Sequence, residues 1–130
     1  MATFFGTVIN ESPTIAMKAG AEIKNAQGKA VMISSDAVIQ ATAGANAIGL
    51  VPMSEDENIA AGADVTVQIK DISAWKAGDK IKVGDELTSD ANGFATPAKS
   101  GNFITAIALT AAAEAGTIIR CQIVKAGYKA

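Results

Sequence analysis

The chain has no histidine, one cysteine and few aromatic residues, and Arg120 is its only arginine. Without histidine it lacks the side chain that most often moves protons near neutral pH. Cys121 has no second cysteine to pair with, so no disulfide closes within the chain. That suits assembly in a reducing compartment. The basic residues form no cluster, and the net charge is −2. A nucleic-acid binder displaces counterions with a basic stripe, so no nucleic-acid partner is expected. No apolar run reaches membrane-spanning length. The opening Met1-Ala2-Thr3-Phe4-Phe5-Gly6 carries neither the basic nor the apolar region of a secretory signal. A soluble cytoplasmic product without a membrane partner is therefore expected.

What is present points to strands. The 130 residues suit one domain. Much of the 49% hydrophobic fraction is alanine, which fits thin, closely packed β-layers better than a deep ligand cavity. Ala30 to Ser34, Val38 to Ala41, Ala47 to Pro52 and Asp64 to Lys70 read as short strands. In the last of these Val65, Val67 and Ile69 alternate with Thr66, Gln68 and Lys70, the period of a half-buried strand. Lys80 to Val83, Glu86 to Thr88, Phe94 to Thr96, Phe103 to Leu109 and Thr117 to Val124 follow. Asn92-Gly93 predicts a tight hairpin in which both central residues take positive φ. Thr14 to Ile23 is ambiguous between strand and short helix, and Thr110 to Gly116 predicts at most one helical turn. The fold class is all-β: a small β-sandwich or β-barrel of short antiparallel strands.

Two stretches echo each other. Ile48-Gly49-Leu50-Val51 leads through Ala61-Gly62 into Val65 to Ile69. Thr105-Ala106-Ile107-Ala108 leads through Ala115-Gly116 into Ile119 to Ile123. An internal duplication would produce this pattern, as would two hairpins of similar composition. A duplication requires two related β-units sharing one core.

Residues that could carry chemistry have plainer roles. Cys121 alternates with Ile119 and Ile123 and is expected on their apolar face. Glu55-Asp56-Glu57 lacks the ligand spacing of a calcium loop and reads as a solvated turn. Asp79, Asp85, Glu86 and Asp90 would need a sugar-binding cleft to act as a carboxylate pair. Asp is also a turn residue, which explains these positions better. Lys18 lies too near the amino end for a carrier lysine, and Gly28-Lys29-Ala30 lacks the glycine spacing of a phosphate loop. No catalytic, cofactor or metal site is expected, and the chain is not expected to be an enzyme. Residues 1–13 read as an amino-terminal arm and residues 14–130 as a single β-rich domain.

From Lys29 onward the order of motifs resembles the capsid decoration, or cement, proteins of tailed bacteriophages. The resemblance lies in Lys29-Ala30-Val31-Met32, Val38 to Gly44, Ala47-Ile48-Gly49-Leu50 and Ala61 to Val67. It continues in Val83-Gly84-Asp85-Glu86-Leu87-Thr88-Ser89-Asp90-Ala91-Asn92-Gly93, Ile107 to Ala112 and Gly116 to Ile123. Some related domains form the base of head fibres. The resemblance implies a β-rich domain made in the bacterial cytoplasm that binds the major capsid protein on the outer face of a mature head. It further implies a homotrimer, no catalysis and no cofactor. On this reading the arm supplies part of the capsid contact, with Phe4, Phe5, Thr7, Val8 and Ile9 as candidate residues and strand addition as the mode. The competing expectation is a carbohydrate-binding or adhesion module with an exposed aromatic patch around Trp75.

Overall fold

The computed structural model describes residues 12–130, so Phe4, Phe5, Thr7, Val8 and Ile9 lie outside the described residues. Among the described residues ten strands form two five-stranded antiparallel sheets. The first holds β1 (Thr14–Lys18), β2 (Ala30–Ser34), β3 (Ala37–Gln40), β4 (Gly49–Leu50) and β5 (Asp64–Gln68). The second holds β6 (Asp71–Lys76), β7 (Glu86–Ser89), β8 (Ala95–Pro97), β9 (Phe103–Ala108) and β10 (Ile118–Tyr128). No helix occurs among the described residues, and Thr110 to Gly116 is a connector of bends and turns. The all-β expectation holds.

The strand orders are β1-β5-β4-β2-β3 and β6-β10-β9-β7-β8, so the second sheet repeats the topology of the first. The repetition extends beyond the ladders. Each sheet curls until its edge strands meet: Ala19, just past β1, bridges Val38 in β3, and Ala77, just past β6, bridges Ala95 in β8, both in parallel sense. A second pair of bridges matches as well, Ile23 to Ile59 and Ile81 to Ala112. The Ala19 amide donates to the Ala63 carbonyl at 2.8 Å, and the Ala77 amide to the Thr117 carbonyl at 2.8 Å. Gly20 donates to Val38 as Gly78 does to Ala95.

The sequence carries this repeat as Lys18-Ala19-Gly20-Ala21-Glu22-Ile23-Lys24 and Lys76-Ala77-Gly78-Asp79-Lys80-Ile81-Lys82. The echo noted between residues 48–69 and 105–123 is the other part of the same repeat: β4 and β5 against β9 and β10. Glycine makes room at the closure, with the closer approach in the second repeat. A Cβ on Gly78 would lie 2.1 Å from an Asp90 carboxylate oxygen, and one on Gly20 would lie 3.2 Å from Ile39 Cγ2.

The first repeat has its own core of Ala19, Ile23, Val31, Val38, Val51, Ile59, Val65 and Val67. The equivalent residues of the second repeat build a larger cluster that also takes in Ala30, Ala41, Ala47 and Leu50 from the first. The repeats thus share apolar packing. The seam is also hydrogen-bonded through main chain: Lys76 N to Gly28 O at 2.9 Å, Ala30 N to Gly93 O at 2.8 Å, and Gly44 N to Ser89 O at 2.9 Å.

Several local expectations are corrected. Lys80 to Val83 is not a strand. Ile81 packs inward and bridges Ala112, but Val83 is 67% exposed. The Asp85 carboxylate accepts the Lys82 amide and turns the chain there. The stretch Ala47 to Pro52 contributes only Gly49–Leu50 as strand. At Asn92-Gly93 only the glycine has positive φ, 80°. Asp90 and Phe94 close the loop instead, through Asp90 N to Phe94 O at 2.8 Å. The Asp90 carboxylate accepts the Asn92 and Phe94 amides at 2.8 and 3.0 Å. This is a three-residue hairpin loop with glycine at its left-handed end, not the two-residue turn.

Candidate functional site

Most of the candidate chemical groups have structural partners among the described residues. Asp79 accepts the Lys80 amide, Glu86 pairs with Lys129, and Asp85 and Asp90 hold turns. Glu55 accepts the Thr66 amide, and no cluster of metal-binding side chains occurs among the described residues. Lys18 forms an exposed ion pair with Asp64 at 2.8 Å. Cys121 is fully buried beside Ile119 and Ile123, as its alternation predicts. Burial pushes its thiol up to about 12. Such a thiol holds little thiolate near neutral pH and is a poor nucleophile.

Trp75 does not supply an exposed aromatic platform. Its ring is fully buried, and Nε1 donates to the Gly93 carbonyl at 2.9 Å. Gly93 O thus accepts from both Trp75 and Ala30, which pins the β7–β8 hairpin tip to the seam. Phe94 lies beside it with the ammonium groups of Lys29 and Lys76 at 5.2 and 5.8 Å from its ring centre. Lys29 is itself buried and donates to Lys24 O at 2.7 Å and Gln40 Oε1 at 2.6 Å. Desolvation, then the neighbouring Lys76 charge, pull its pKa below the ordinary lysine value, while Asp90 opposes them. At the other end of the seam Lys125 donates to Asn46 Oδ1 and Ala47 O at 2.9 and 2.7 Å. Lys125 thus ties the second repeat to the first, while Lys29 is hydrogen-bonded within the first and faces Phe94 of the second.

What remains available is the outside. Where β6 and β10 pair, the outward-facing side chains are Ile72, Ala74 and Lys76 on β6 and Ile118, Arg120 and Gln122 on β10. Register sets Ile72 opposite Gln122, Ala74 opposite Arg120 and Lys76 opposite Ile118. Ile72 is 52% exposed and Ile118 48%. On the far side of β10, Ile107 lies opposite Gln122, and the amide of the exposed Leu109 donates to Arg120 O at 2.8 Å. Arg120 therefore stands among apolar neighbours on an open sheet face, and its side chain forms no ion pair among the described residues. Sequence reading missed this face, because alternation identifies one exposed residue at a time. Only the register across β6, β10 and β9 brings the side chains together.

Residues 9–123 match the family model described as phage cement protein. Among solved structures, the chain is similar to the head fibre gp8.5 N base of bacteriophage phi29, at 18% identity and a TM-score of 0.65. The likeness covers 90% of this chain and 98% of that one, and it shows a common fold. No curated protein matches the chain.

Proposed function

Because the chain belongs to the phage cement protein family, we propose that its structural role in the phage head is to bind the outer face of the mature shell and bridge neighbouring capsomers. The family match over residues 9–123 is the observation that carries this reading. The geometry is consistent with it: Glu55, Asp79, Asp85, Glu86 and Asp90 accept backbone amides or pair with a lysine, the cysteine is buried, and the available features lie on the exterior. The proposal has the chain non-catalytic and without a cofactor, with the major capsid protein as its partner.

The mechanism is linkage. A protein that binds the expanded lattice and not its precursor stabilises the expanded lattice by an amount set by its affinity and concentration. Bridging adds to this, since one bound body resists the separation of two capsomers. A homotrimer would engage several sites at once and gain effective concentration without new kinds of contact. The arm residues Phe4, Phe5, Thr7, Val8 and Ile9 remain part of the proposal as candidate contacts.

The test is co-sedimentation of the purified protein with expanded heads and with unexpanded ones. The expected result is saturable binding to expanded heads at least tenfold tighter than to unexpanded heads. Equal binding to both, or binding to neither, would overturn the proposal.

A further inference from the structure

The two repeats provide an internal comparison. They share strand order, register and closure, so each outward position on β6 and β10 has a counterpart on β1 and β5. The counterparts of Ile72, Ala74 and Lys76 are Thr14, Ala16 and Lys18, counted back from the shared Lys-Ala-Gly. The counterparts of Ile118, Arg120 and Gln122 are Asp64, Thr66 and Gln68. The ladder confirms the equivalence: Thr14 lies opposite Gln68, Ala16 opposite Thr66 and Lys18 opposite Asp64.

The two faces share a backbone but differ in character. On the first repeat the face is polar, and Lys18 and Asp64 are paired at 2.8 Å. On the second the acid has become Ile118, the threonines have become Ile72 and Arg120, and the Lys76 ammonium turns to the Phe94 ring, 5.8 Å from its centre. Scattered exposed isoleucines need no explanation. Two half-exposed isoleucines beside an arginine, where the equivalent positions on the other sheet carry an acid and two threonines, do need one.

We propose that the outer face of β6 and β10 is the surface this chain sets against the phage head, where it takes an apolar patch that presents a carboxylate to Arg120. This rests on the cement reading. Charge favours an acidic partner. The face carries Arg120 and Lys76 and no carboxylate, although the chain as a whole has a net charge of −2. Arginine suits the role because its planar guanidinium binds a carboxylate through two parallel hydrogen bonds. A two-fold pairing of copies through this face would bring the Arg120 cations of both into an interface that supplies no carboxylate, which disfavours a two-fold dimer as the occupant.

The experiment transplants the first repeat's face onto the second, as the triple variant Ile72→Thr, Ile118→Asp, Arg120→Thr. Each new residue already occupies the equivalent position on the other sheet, so folding is expected to survive, with an unchanged light-scattering mass. Head occupancy in co-sedimentation with expanded heads should fall at least tenfold at a protein concentration that half-saturates the wild type. The single variant Arg120→Glu should also weaken binding, and it keeps the test decisive if the triple variant misfolds.

Undiminished occupancy by both variants would overturn the inference and leave the cement reading standing. A smaller solution mass for the variants would assign the face to a second copy of the chain and overturn it too. Wild-type protein that fails to bind heads would remove the cement reading itself.

Discussion

Trp75→Ala should cost about 3–5 kcal/mol of stability, the range for truncating a large buried aromatic. The indole is fully buried in the cluster that spans both repeats. Its counterpart in the first repeat is Met17, which is only partly buried. The ring therefore fills space that the repeat alone does not create: the junction. Its loss leaves a cavity there and frees the hairpin tip from one of its two tethers. Gly93 O would still accept from the Ala30 amide at 2.8 Å, so the variant does not also strand a buried carbonyl. For the same reason Trp75→Phe should cost less, about 1–2 kcal/mol, since it removes one hydrogen bond and part of the volume. Urea unfolding followed by circular dichroism measures both. A loss below about 1 kcal/mol for Trp75→Ala, the level of an ordinary surface change or a small repacking, would show that the seam is not held by this ring.

Gly49→Ala should be at least as damaging, at about 3 kcal/mol or more, for a different reason. A Cβ there would lie 2.1 Å from the Gln68 carbonyl oxygen and 2.9 Å from its carbon. Both are backbone atoms of β5, so no side-chain rotation relieves the clash. β4 has only two residues, and it joins β2 through Val31–Gly49 and β5 through Leu50–Gln68. Moving it parts the middle of the first sheet. The control is Gly62→Ala, at a φ of 84° with open space around the added carbon. That change carries only the backbone strain of a left-handed residue, about 1–2 kcal/mol. Equal losses for the two variants would remove the close approach as the reason for glycine at position 49.

The contrast between these two sites shows where sequence reading reached and where it stopped. The strand at β5 was legible because Val65 and Val67 alternate with polar residues, and both are fully buried. Cys121 was placed on the correct face by the same period of two. The requirement at Gly49 was not legible. It depends on how near β5 comes, and that is set by pairings between residues far apart in the chain. Lys80 to Val83 alternates like a strand at Ile81 and Val83, yet a turn held by Asp85 takes Val83 into solvent.

The duplication was half legible. The second parts of the repeats share an Ala-Gly turn followed by an alternating strand ending in Gln-Ile. Their first parts share the Lys-Ala-Gly closure and the Ile three residues beyond it, but they lie in stretches with weak alternation. β1 and β6 form because β5 and β10 offer them an edge, a cause that no local window contains. The candidate surface was hidden for the same reason. Ile72, Ile118 and Arg120 are unremarkable singly and become a face only when β6 is laid beside β10.

The duplication also bears on how such a protein divides its labour. One repeat keeps a polar face with a paired Lys18 and Asp64, as expected for a side left in water. The other keeps the same backbone and leaves isoleucine and arginine open. Two copies of one fold thus give one body with two chemically different faces.

The most direct measurement is the temperature at which isolated mature heads release their DNA, taken with and without saturating protein. The account expects decorated heads to hold their genome to a temperature several degrees higher, with the shift growing as occupancy grows. Fully occupied heads that release DNA at the same temperature as bare ones would contradict it.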